Sequence, residues 1–444
     1  MPLPPEPSSN ALVQTLRWTL RPLAFMQDCR ERLGDSFSVR FLGFERPMVL
    51  ISDPAAIKAL YMEREHGLPP GRNIVLEPIL GSQSVLLLEG AEHLARRKLM
   101  LPPFHGERMR SYESVLDEIV TAEIDSWPLH SEFPIHSRMQ AVTLEAILRV
   151  VFGVADGPRL ERLRGMLSTV LTETASPRAQ LIGVATRRFR GGNALARFEG
   201  QLKEVDELLY AEIAEHRSKP DLENRDDMLS MLMLAEFEDA GRMSDRELRD
   251  QLMTLLLAGH ETTATALAWT FDLLLRHPRP LQRLLDSLAA GEDDYLRATI
   301  SESLRLRPVL PLAGRRLAKE LSVDGLTLPA GTDVTPAIWI THTRADLYPD
   351  PFAFKPERFL GDAGPESYAW IPFGGGIRRC LGASFAEFEM RIVLREVLTR
   401  CDLHKASPLP ERTGRRNITL SPKDGTPVVV TARRPARETE LAPV

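Results

Sequence analysis

The chain has 444 residues, of which 43% are hydrophobic and 26% charged, the usual proportions of a soluble globular protein. Its formal net charge of -5, with basic residues scattered among acidic ones, argues against binding to nucleic acid, which usually needs a clustered basic face. Three cysteines are too few for a disulfide framework and fit a reducing cytoplasm. No internal linker or fixed-period repeat divides the chain, so we expect one large folded unit.

The first 24 residues lack the patterns of a targeting or membrane segment. They begin with the proline-rich sequence MPLPPEPSSN, which has no basic region of the kind that opens a signal peptide. The apolar stretch that follows is broken by Arg17, Arg21 and Pro22, and it falls short of the roughly 18 uninterrupted apolar residues of a membrane span. We therefore expect a partly disordered N-terminal segment, no membrane anchor and a cytoplasmic location.

Beyond this segment, short strand patterns and longer helical patterns follow one another. Segments 37–41 and 48–51 flank the turn-like sequence GFERP and predict a β-hairpin. Apolar periodicity predicts helices over 113–127, 138–152, 198–218, 244–276, 295–307 and 383–400. Further short strands are predicted over 321–323, 327–328 and 428–431. Together these elements predict a mainly α fold with a small β-sheet region.

The longest predicted helix, 244–276, has an unusual centre. Ser244 and Glu247 form a capping-box pattern at its start, and a helix this long that is apolar in its middle must cross the interior. Its centre contains Gly259, which costs about 1 kcal/mol against alanine in a helix. Thr262 follows, and a threonine hydroxyl can bond back to a carbonyl and bend the helix. Taken alone, this pattern indicates a packing kink.

A second pattern is the pair Glu302 and Arg305, three residues apart on the helix predicted over 295–307. A pair at this spacing is usually a surface ion pair of little energetic value. Two other Glu–Arg pairs, which begin at Glu107 and Glu161, have the same spacing in this chain. The pair alone therefore predicts no function.

The segment from Phe373 to Gly382 places Cys380 between a glycine-rich loop and a predicted helix. Glycines allow positive φ and a close approach of the backbone to a flat ligand. A cysteine at a helix N-terminus gains from the helix dipole and from free N–H groups, which both favour the thiolate. An axial thiolate pushes electron density onto haem iron and favours O–O cleavage. Cys29 and Cys401 lack such surroundings, and we expect both to be small buried hydrophobic residues.

This loop resembles the ligand loop of the cytochrome P450 family. In that family a phenylalanine, a glycine, an arginine or histidine, a cysteine and a second glycine recur at fixed spacing. Phe373, Gly376, Arg378, Cys380 and Gly382 match all five positions within ten residues. Such a match is highly specific.

The resemblance extends over nearly the whole chain and implies a single large triangular domain that is mainly α. We place this catalytic domain at 25–432, between an N-terminal segment, 1–24, and a C-terminal tail, 433–444. The resemblance also implies haem b, iron protoporphyrin IX, as the cofactor. Cys380 would be its iron ligand, and Phe373 would belong to the cofactor-binding loop.

Four basic residues match positions that hold the haem propionates in the family. His93 and Arg97 lie four residues apart and share one face of a predicted helix. Arg315 and Arg378 match the two other positions, although the choice of Arg315 over Arg316 is left open by the sequence. Arginine suits this role because its planar guanidinium can hold a carboxylate through two hydrogen bonds.

The resemblance also gives the two helical patterns a role. It implies that Glu261 and Thr262, in the centre of the long helix, deliver protons during dioxygen activation. It implies that Arg358 joins Glu302 and Arg305 in a buried charge network that holds the ligand loop in place. We expect this network to be structural and costly to break.

The substrate pocket of the family is lined by three segments, which correspond here to 68–90, 255–266 and 308–314. Their apolar composition predicts a lipophilic small-molecule substrate without identifying it. The residues on which this rests are Ile74, Val75, Leu76, Ile79, Leu80, Leu86, Val309, Leu310 and Leu312, several of which are equally compatible with plain core packing.

Electrons are expected to come from a separate protein, because no flavin or iron–sulfur module fits in this length. By resemblance to the soluble bacterial members, the partner is a ferredoxin or flavodoxin with its reductase, and the enzyme is a bacterial monomer. Candidate residues for the docking face near the cysteine are Arg96, Lys98 and Arg379.

Three functions remain open at this point. The leading one is a monooxygenase that inserts one oxygen atom from O2 into a C–H bond or an alkene. A haem-thiolate peroxygenase, isomerase or lyase is the second, although such relatives typically lose the acid–threonine pair that Glu261 and Thr262 form here. The third is a non-catalytic haem protein, such as a ligand sensor, which the same intact pair disfavours.

Overall fold

The structure is a computed structural model of the whole chain. It describes residues 3–435 apart from 45, 64–65, 69–71, 105, 107, 154–156, 176–192, 238–240, 324, 362–363 and 417. Within these ranges, no helix combines the length and the apolar character that crossing a membrane requires.

Most of the described chain is helical. The α-helices, numbered α1 to α16 in chain order, are Ala11–Leu20, Pro22–Leu33, Pro54–Met62, Arg72–Leu80, Gly90–Met100, Arg108–Ser111, Glu113–Asp125, Ile135–Phe152, Pro158–Ala175, Asn193–Ser218, Met228–Leu234, Asp245–Arg276, Pro278–Ala289, Asp294–Leu306, Ile338–His342 and Ala383–Arg400. Short 3-10 helices occupy Pro102–Phe104, Leu222–Asn224, Pro356–Phe359 and Gly376–Arg378.

The strands are short and form small sheets. Numbered β1 to β14, they are Ser36–Val39, Met48–Ile51, His66–Gly67, Glu132–Pro134, Glu236–Phe237, Gly241–Arg242, Arg315–Leu317, Leu321–Val323, Leu326–Leu328, Asp333–Pro336, Cys401–Lys405, Thr413–Arg416, Thr419–Pro422 and Pro427–Arg433. A five-stranded sheet has the order β1-β2-β10-β7-β3, and a three-stranded sheet has the order β11-β14-β4. Strands β5–β6, β8–β9 and β12–β13 pair as separate antiparallel ribbons.

Helix α12 runs through the centre of the molecule. It begins with the predicted capping box, in which Ser244 and Glu247 satisfy each other's backbone N–H groups. Most of its side chains from Leu248 to Leu274 are buried, and its main neighbour is α8. A helix that is apolar on several faces is stable only when protein surrounds it, so its sequence predicted this position.

The predicted mainly α fold with small sheets is confirmed, and differences lie at element boundaries and near the N-terminus. Helix α8 begins at Ile135 because the chain passes from β4 directly into the helix, without a turn residue to mark its start. Two N-terminal helices, α1 and α2, were not predicted. Pro22, which breaks the apolar stretch, occupies the first turn of α2, where its missing N–H costs nothing. The domain boundaries stay predictions, and residues 436–444 of the predicted tail lie outside the described residues.

Candidate functional site

The glycine-rich loop before α16 is closed on itself. The backbone N–H of Cys380 donates to the carbonyl of Phe373 at 3.0 Å. Gly376 has φ +65, and a Cβ there would lie 2.5 Å from the carbonyl oxygen of Tyr61. At Gly375 a Cβ would lie 2.4 Å from the Tyr61 ring. Only glycine fits both positions, so the loop packs tightly on Tyr61 and presents Cys380 at its end.

Cys380 precedes α16, whose N-cap is Gly382. The residue has accessible surface, yet burial dominates its electrostatics. Burial raises the pKa of the thiol more than the N–H of Gly382 and the charges of Arg379 and Arg97 lower it. The surrounding protein alone therefore favours the thiol, and direct contact with a metal ion would deprotonate it.

Cys29 and Cys401 are buried, as predicted for small hydrophobic residues. Burial raises the pKa of each thiol to about 11. Neither sits in a glycine-rich loop, so Cys380 is the cysteine whose surroundings suit metal ligation.

Helix α5 brings His93 and Arg97 beside the cysteine loop. His93 is buried, and Arg97 lies near enough to Cys380 for the two charges to interact. Burial lowers the pKa of Arg97, and a negative charge on Cys380 would raise it. Arg378 donates to the carbonyl of Leu88 at 2.5 Å, which joins the loop to the start of α5. Three of the four predicted propionate-binding residues therefore lie around one loop.

The structure separates Arg315 from Arg316. Arg316 makes two hydrogen bonds of 2.8 Å to the carboxylate of Asp333, on the adjacent strand β10. Arg315 points to the opposite side of β7, is buried, and lies 3.5 Å from the carbonyl of Gly375. Successive side chains of a strand face opposite ways, so only one of the two arginines can face the ligand loop. The geometry favours Arg315.

Sequence reasoning missed Tyr61, which lies in this same place. The guanidinium of Arg315 is 5.4 Å from the centre of the Tyr61 ring. The Tyr61 hydroxyl and the Nε of Arg315 are both buried without a hydrogen-bond partner among the described residues. Burial raises the pKa of Tyr61 to about 12, so its hydroxyl is a donor. Two unsatisfied buried donors call for an acceptor, and a carboxylate such as a haem propionate fits.

The centre of α12 packs closely against α8 and contains the predicted threonine back-bond. The Thr262 hydroxyl donates to the carbonyl of Ala258 at 2.7 Å, the back-bond expected of a mid-helix threonine. A Cβ on Gly259 would lie 3.3 Å from Ile147 of α8, so the glycine also permits close helix packing. His260, the next residue, is buried and bonds to Thr143 at 3.1 Å through Nδ1. The helix is continuous through this segment, and its glycine lies where α8 packs closely.

Glu261 is held by side chains from three elements. Gln140 of α8 donates to its carboxylate at 2.6 Å, and Thr265 donates from one turn further along α12 at 3.4 Å. The Nε of Arg416, from β12, lies 3.5 Å away. Burial raises the pKa of Glu261, while Arg416, Gln140 and Thr265 lower it. Burial has the larger effect, so the net result is a raised pKa.

The predicted charge network is present, and its Glu302–Arg305 pair is fully buried. Arg305 donates to Glu302 at 2.6 and 2.8 Å, and neither side chain has any exposed surface. The Nε of Arg358 lies 3.5 Å from the same carboxylate. Arg305 also donates to the carbonyl of His342 at 2.7 Å, and the His342 ring accepts from the N–H of Ile371 at 2.8 Å. The network thus connects to the start of the ligand loop.

One predicted docking residue is misplaced. Arg96 is buried, pairs with Glu247 and stacks at 4.7 Å from the centre of the Phe237 ring. Arg96 lies three residues after His93 and shares the inner face of α5 with it. The prediction of Arg96 as a surface charge did not take this shared face into account. Lys98 and Arg379 are exposed.

The predicted pocket residues are divided between core and partly exposed positions. The side chains of Ile74 and Val75 lie outside the described residues. Leu80 and Val309 are buried in two different core clusters. Leu76, Ile79 and Leu86 pack against the cluster that contains Leu80. The lipophilic pocket stays a prediction.

Comparisons with known proteins concern the chain as a whole. The family model described as Cytochrome P450 matches residues 4–427. The chain is 41% identical to "Putative cytochrome P450 135B1" of Mycobacterium tuberculosis, with 100% of this chain and 94% of the relative covered. It is 38% identical to "Putative cytochrome P450 137" of the same species, with 88% and 81% covered.

Solved structures have the same fold. A retinoic acid-bound cyanobacterial CYP120A1 matches with a TM-score of 0.82 and 26% identity, over 97% of this chain and 100% of that one. The heme domain of cytochrome P450DA matches with a TM-score of 0.82 and 22% identity, over 98% and 99%, a likeness that concerns the fold alone.

Proposed function

The chain belongs to the cytochrome P450 family, whose members generally act as haem-thiolate monooxygenases, and on that premise we propose that it inserts one oxygen atom from O2 into a lipophilic small molecule. The product would be an alcohol or an epoxide. The observation that supports this most strongly is the closed loop that presents Cys380 beside α5, tied through His342 to the buried Glu302–Arg305 pair. A haem ligand loop needs this fixed geometry.

In this proposal haem b is the resident cofactor and Cys380 is its iron ligand. A thiolate-ligated haem supplies O–O cleavage and oxygen insertion. Arg315 and Tyr61 provide unsatisfied buried donors for its carboxylates. His93, Arg97 and Arg378 add further donors around the same loop, and Phe373 accepts the N–H of Cys380 and packs on Trp370.

Electrons would come from a ferredoxin or flavodoxin with its reductase. Lys98 and Arg379 are exposed near the cysteine loop and are proposed as part of the docking face. Two positive side chains suit the acidic surface of a small electron-transfer protein, and they would act mainly on the association rate. Cytoplasmic location and a monomeric state stay predictions from the sequence.

Glu261 and Thr262 would move protons to the reacting oxygen. Thr262 already uses its hydroxyl proton in the back-bond to Ala258, which leaves its oxygen lone pairs available to accept a further hydrogen bond. Glu261 lies next to it, is largely removed from water, and has a pKa that burial raises. A carboxyl group in this place can take up a proton and release it.

Replacing Thr262 by alanine is expected to uncouple the reaction. Haem and substrate binding are retained, but the rate of product formation falls about 100-fold, in the range of a lost proton-transfer group, and reducing equivalents appear as peroxide. The measurement is product and hydrogen peroxide formed per NADPH consumed. Thr270→Val is the matched control, since Thr270 makes the same kind of back-bond, to Ala266, further along α12. Equal coupling in Thr262→Ala and the wild type would contradict the proton-delivery assignment.

Replacing Tyr61 by phenylalanine is expected to weaken haem retention. The variant loses one donor to a charged acceptor, so haem transfer to apomyoglobin is expected to be about tenfold faster. The matched control is Tyr368→Phe, because the Tyr368 ring packs 6.0 Å from that of Tyr61 while its hydroxyl contacts the sulfur of Met62. If both variants release haem at the wild-type rate, Tyr61 is not a cofactor donor.

The proposal itself is tested with labelled dioxygen. Lipophilic compounds are screened for a spin-state shift, and each binder is incubated with a ferredoxin system under oxygen-18 gas. Incorporation of one labelled atom per product supports a monooxygenase. Unlabelled product made from added peroxide would indicate a peroxygenase, rearranged product an isomerase or lyase, and bound ligand without product a sensor.

A further inference from the structure

Arg416 stands out because its side chain reaches from a β-ribbon to the middle of helix α12. Its Nε lies 3.5 Å from the carboxylate of Glu261, and its side chain is only 27% exposed. Glu261 is 18% exposed, so both charges are largely removed from water. Coulombic interactions are stronger at such sites than on the surface. The pair therefore influences Glu261 far more than an ordinary surface contact does.

The other groups around Glu261 are uncharged. Gln140 of α8 is neutral, and the Nε2 of His136, also on α8, lies 3.8 Å away. Burial, and then Arg416, lowers the pKa of His136 to about 3, and the same two causes lower that of His260 on α12 to about 4. Both rings are neutral near pH 7. In the described part of the chain, Arg416 is thus the one cation within 4 Å of this carboxylate.

The ribbon β12–β13 fixes the position of Arg416. Strand β13, which pairs with the strand of Arg416, is anchored by Leu420, whose N–H donates to the carbonyl of Val309 at 2.8 Å. The carbonyl of Leu420 accepts from the indole of Trp269, on α12, at 2.9 Å. Arg415 faces the other way and lies 5.9 Å from the centre of the Trp18 ring. Arg416 is therefore held over α12 by the fold, and its neighbour is a natural control.

We propose that Arg416 is a positioning residue for proton delivery, which fixes the charge and the orientation of the Glu261 carboxylate beside Thr262. This inference rests on the proposed monooxygenase function. The ribbon that contains Arg416 is bonded to Val309, in one of the segments predicted to line the substrate pocket.

The sign of the effect follows from the charges. Burial raises the pKa of Glu261 and the positive charge of Arg416 lowers it, so Arg416→Gln raises it further. Because Arg416 is partly exposed, we expect a rise of roughly one unit, the low end for a charge pair at this distance. If the ionised carboxylate is the form that accepts protons from solvent, coupled turnover falls on the acid side, and this fall moves to higher pH in the variant.

The first experiment needs no turnover. The infrared carboxyl band of Glu261 is identified as the band that Glu261→Gln removes, and its pH dependence is followed in the wild type, Arg416→Gln, Arg416→Lys and Arg415→Gln. All variants are first checked for an unchanged thermal midpoint and carbon monoxide spectrum. The pH at the midpoint of this titration is expected to rise in Arg416→Gln. It is expected to stay near the wild-type value in Arg416→Lys and to be unchanged in Arg415→Gln. Equal midpoints in all four proteins would overturn the inference.

The second experiment measures product formed per NADPH consumed as a function of pH. In Arg416→Gln, the fall in coupling at low pH is expected to move to higher pH by the same amount as the infrared midpoint. The double variant Arg416→Gln/Glu261→Gln is expected to behave like Glu261→Gln alone. A further loss in the double variant would show that Arg416 acts elsewhere, against the inference. If the infrared midpoint shifts but the protein forms no oxygenated product, the ion pair between Arg416 and Glu261 is established. The proposed function is then refuted, and the role of Arg416 in proton delivery with it.

Discussion

Cys380→Ser is expected to abolish product formation and to eliminate the ferric spectrum of thiolate-ligated haem. A serine hydroxyl has a far higher pKa than a thiol and does not supply the electron density that favours O–O cleavage. The backbone N–H that closes the loop onto Phe373 is retained, so the loop itself is expected to survive. The measurements are haem content, the ferric absorption spectrum and product formation.

Cys401→Ala is the matched control for this change. Cys401 is buried at the start of β11, and its substitution removes a thiol without touching the ligand loop. Its spectrum and turnover are expected to match those of the wild type. A wild-type thiolate spectrum in Cys380→Ser, or loss of that spectrum in Cys401→Ala, would show that the iron ligand has been misassigned.

Arg305→Leu is expected to lower the free energy of unfolding by about 3 to 5 kcal/mol and to reduce haem content. The change leaves the carboxylate of Glu302 buried with the N–H of Lys355 at 2.8 Å and the Nε of Arg358 at 3.5 Å, and breaking a buried pair on one side is strongly destabilising. It also removes the bond to the carbonyl of His342, through which the network reaches Ile371. The measurement is urea unfolding, followed by fluorescence and by the Soret band.

Glu161→Gln provides the comparison at equal sequence spacing. Glu161 pairs with Arg164 three residues later, at 2.5 Å, but its side chain is 63% exposed. Exposed pairs contribute about 0 to 1 kcal/mol, so little change is expected. If both variants unfolded at the same urea concentration, the Glu302–Arg305 pair would not be the structural support of the ligand loop.

The parts of this molecule that the sequence predicted are those with local patterns. Helix α16 has the predicted bounds, and Ser244 with Glu247 caps α12 as expected, because caps and apolar periodicity depend on residues within a few positions. The Glu302–Arg305 pair was ambiguous by spacing alone. A structural role for this pair could be predicted only because the cysteine loop resembles the ligand loop of the cytochrome P450 family. That loop is itself a local pattern.

The parts that could not be predicted depend on contacts between distant segments. Tyr61 is 313 or more residues from the loop glycines it contacts, and no local pattern marks its hydroxyl as unsatisfied. Arg416 is 155 residues from Glu261 and follows an equally basic neighbour. Arg96 was expected on the surface because arginine usually is, and its burial against Glu247 reflects which face of α5 turns inward.

The most direct test of the central claim is the difference spectrum of the dithionite-reduced protein with and without carbon monoxide. We expect the strongly red-shifted Soret band of a thiolate-ligated haem, present in the wild type and absent in Cys380→Ser. A band at the position typical of histidine ligation, or purified protein that takes up no haem, would contradict the assignment of Cys380 and the function built on it.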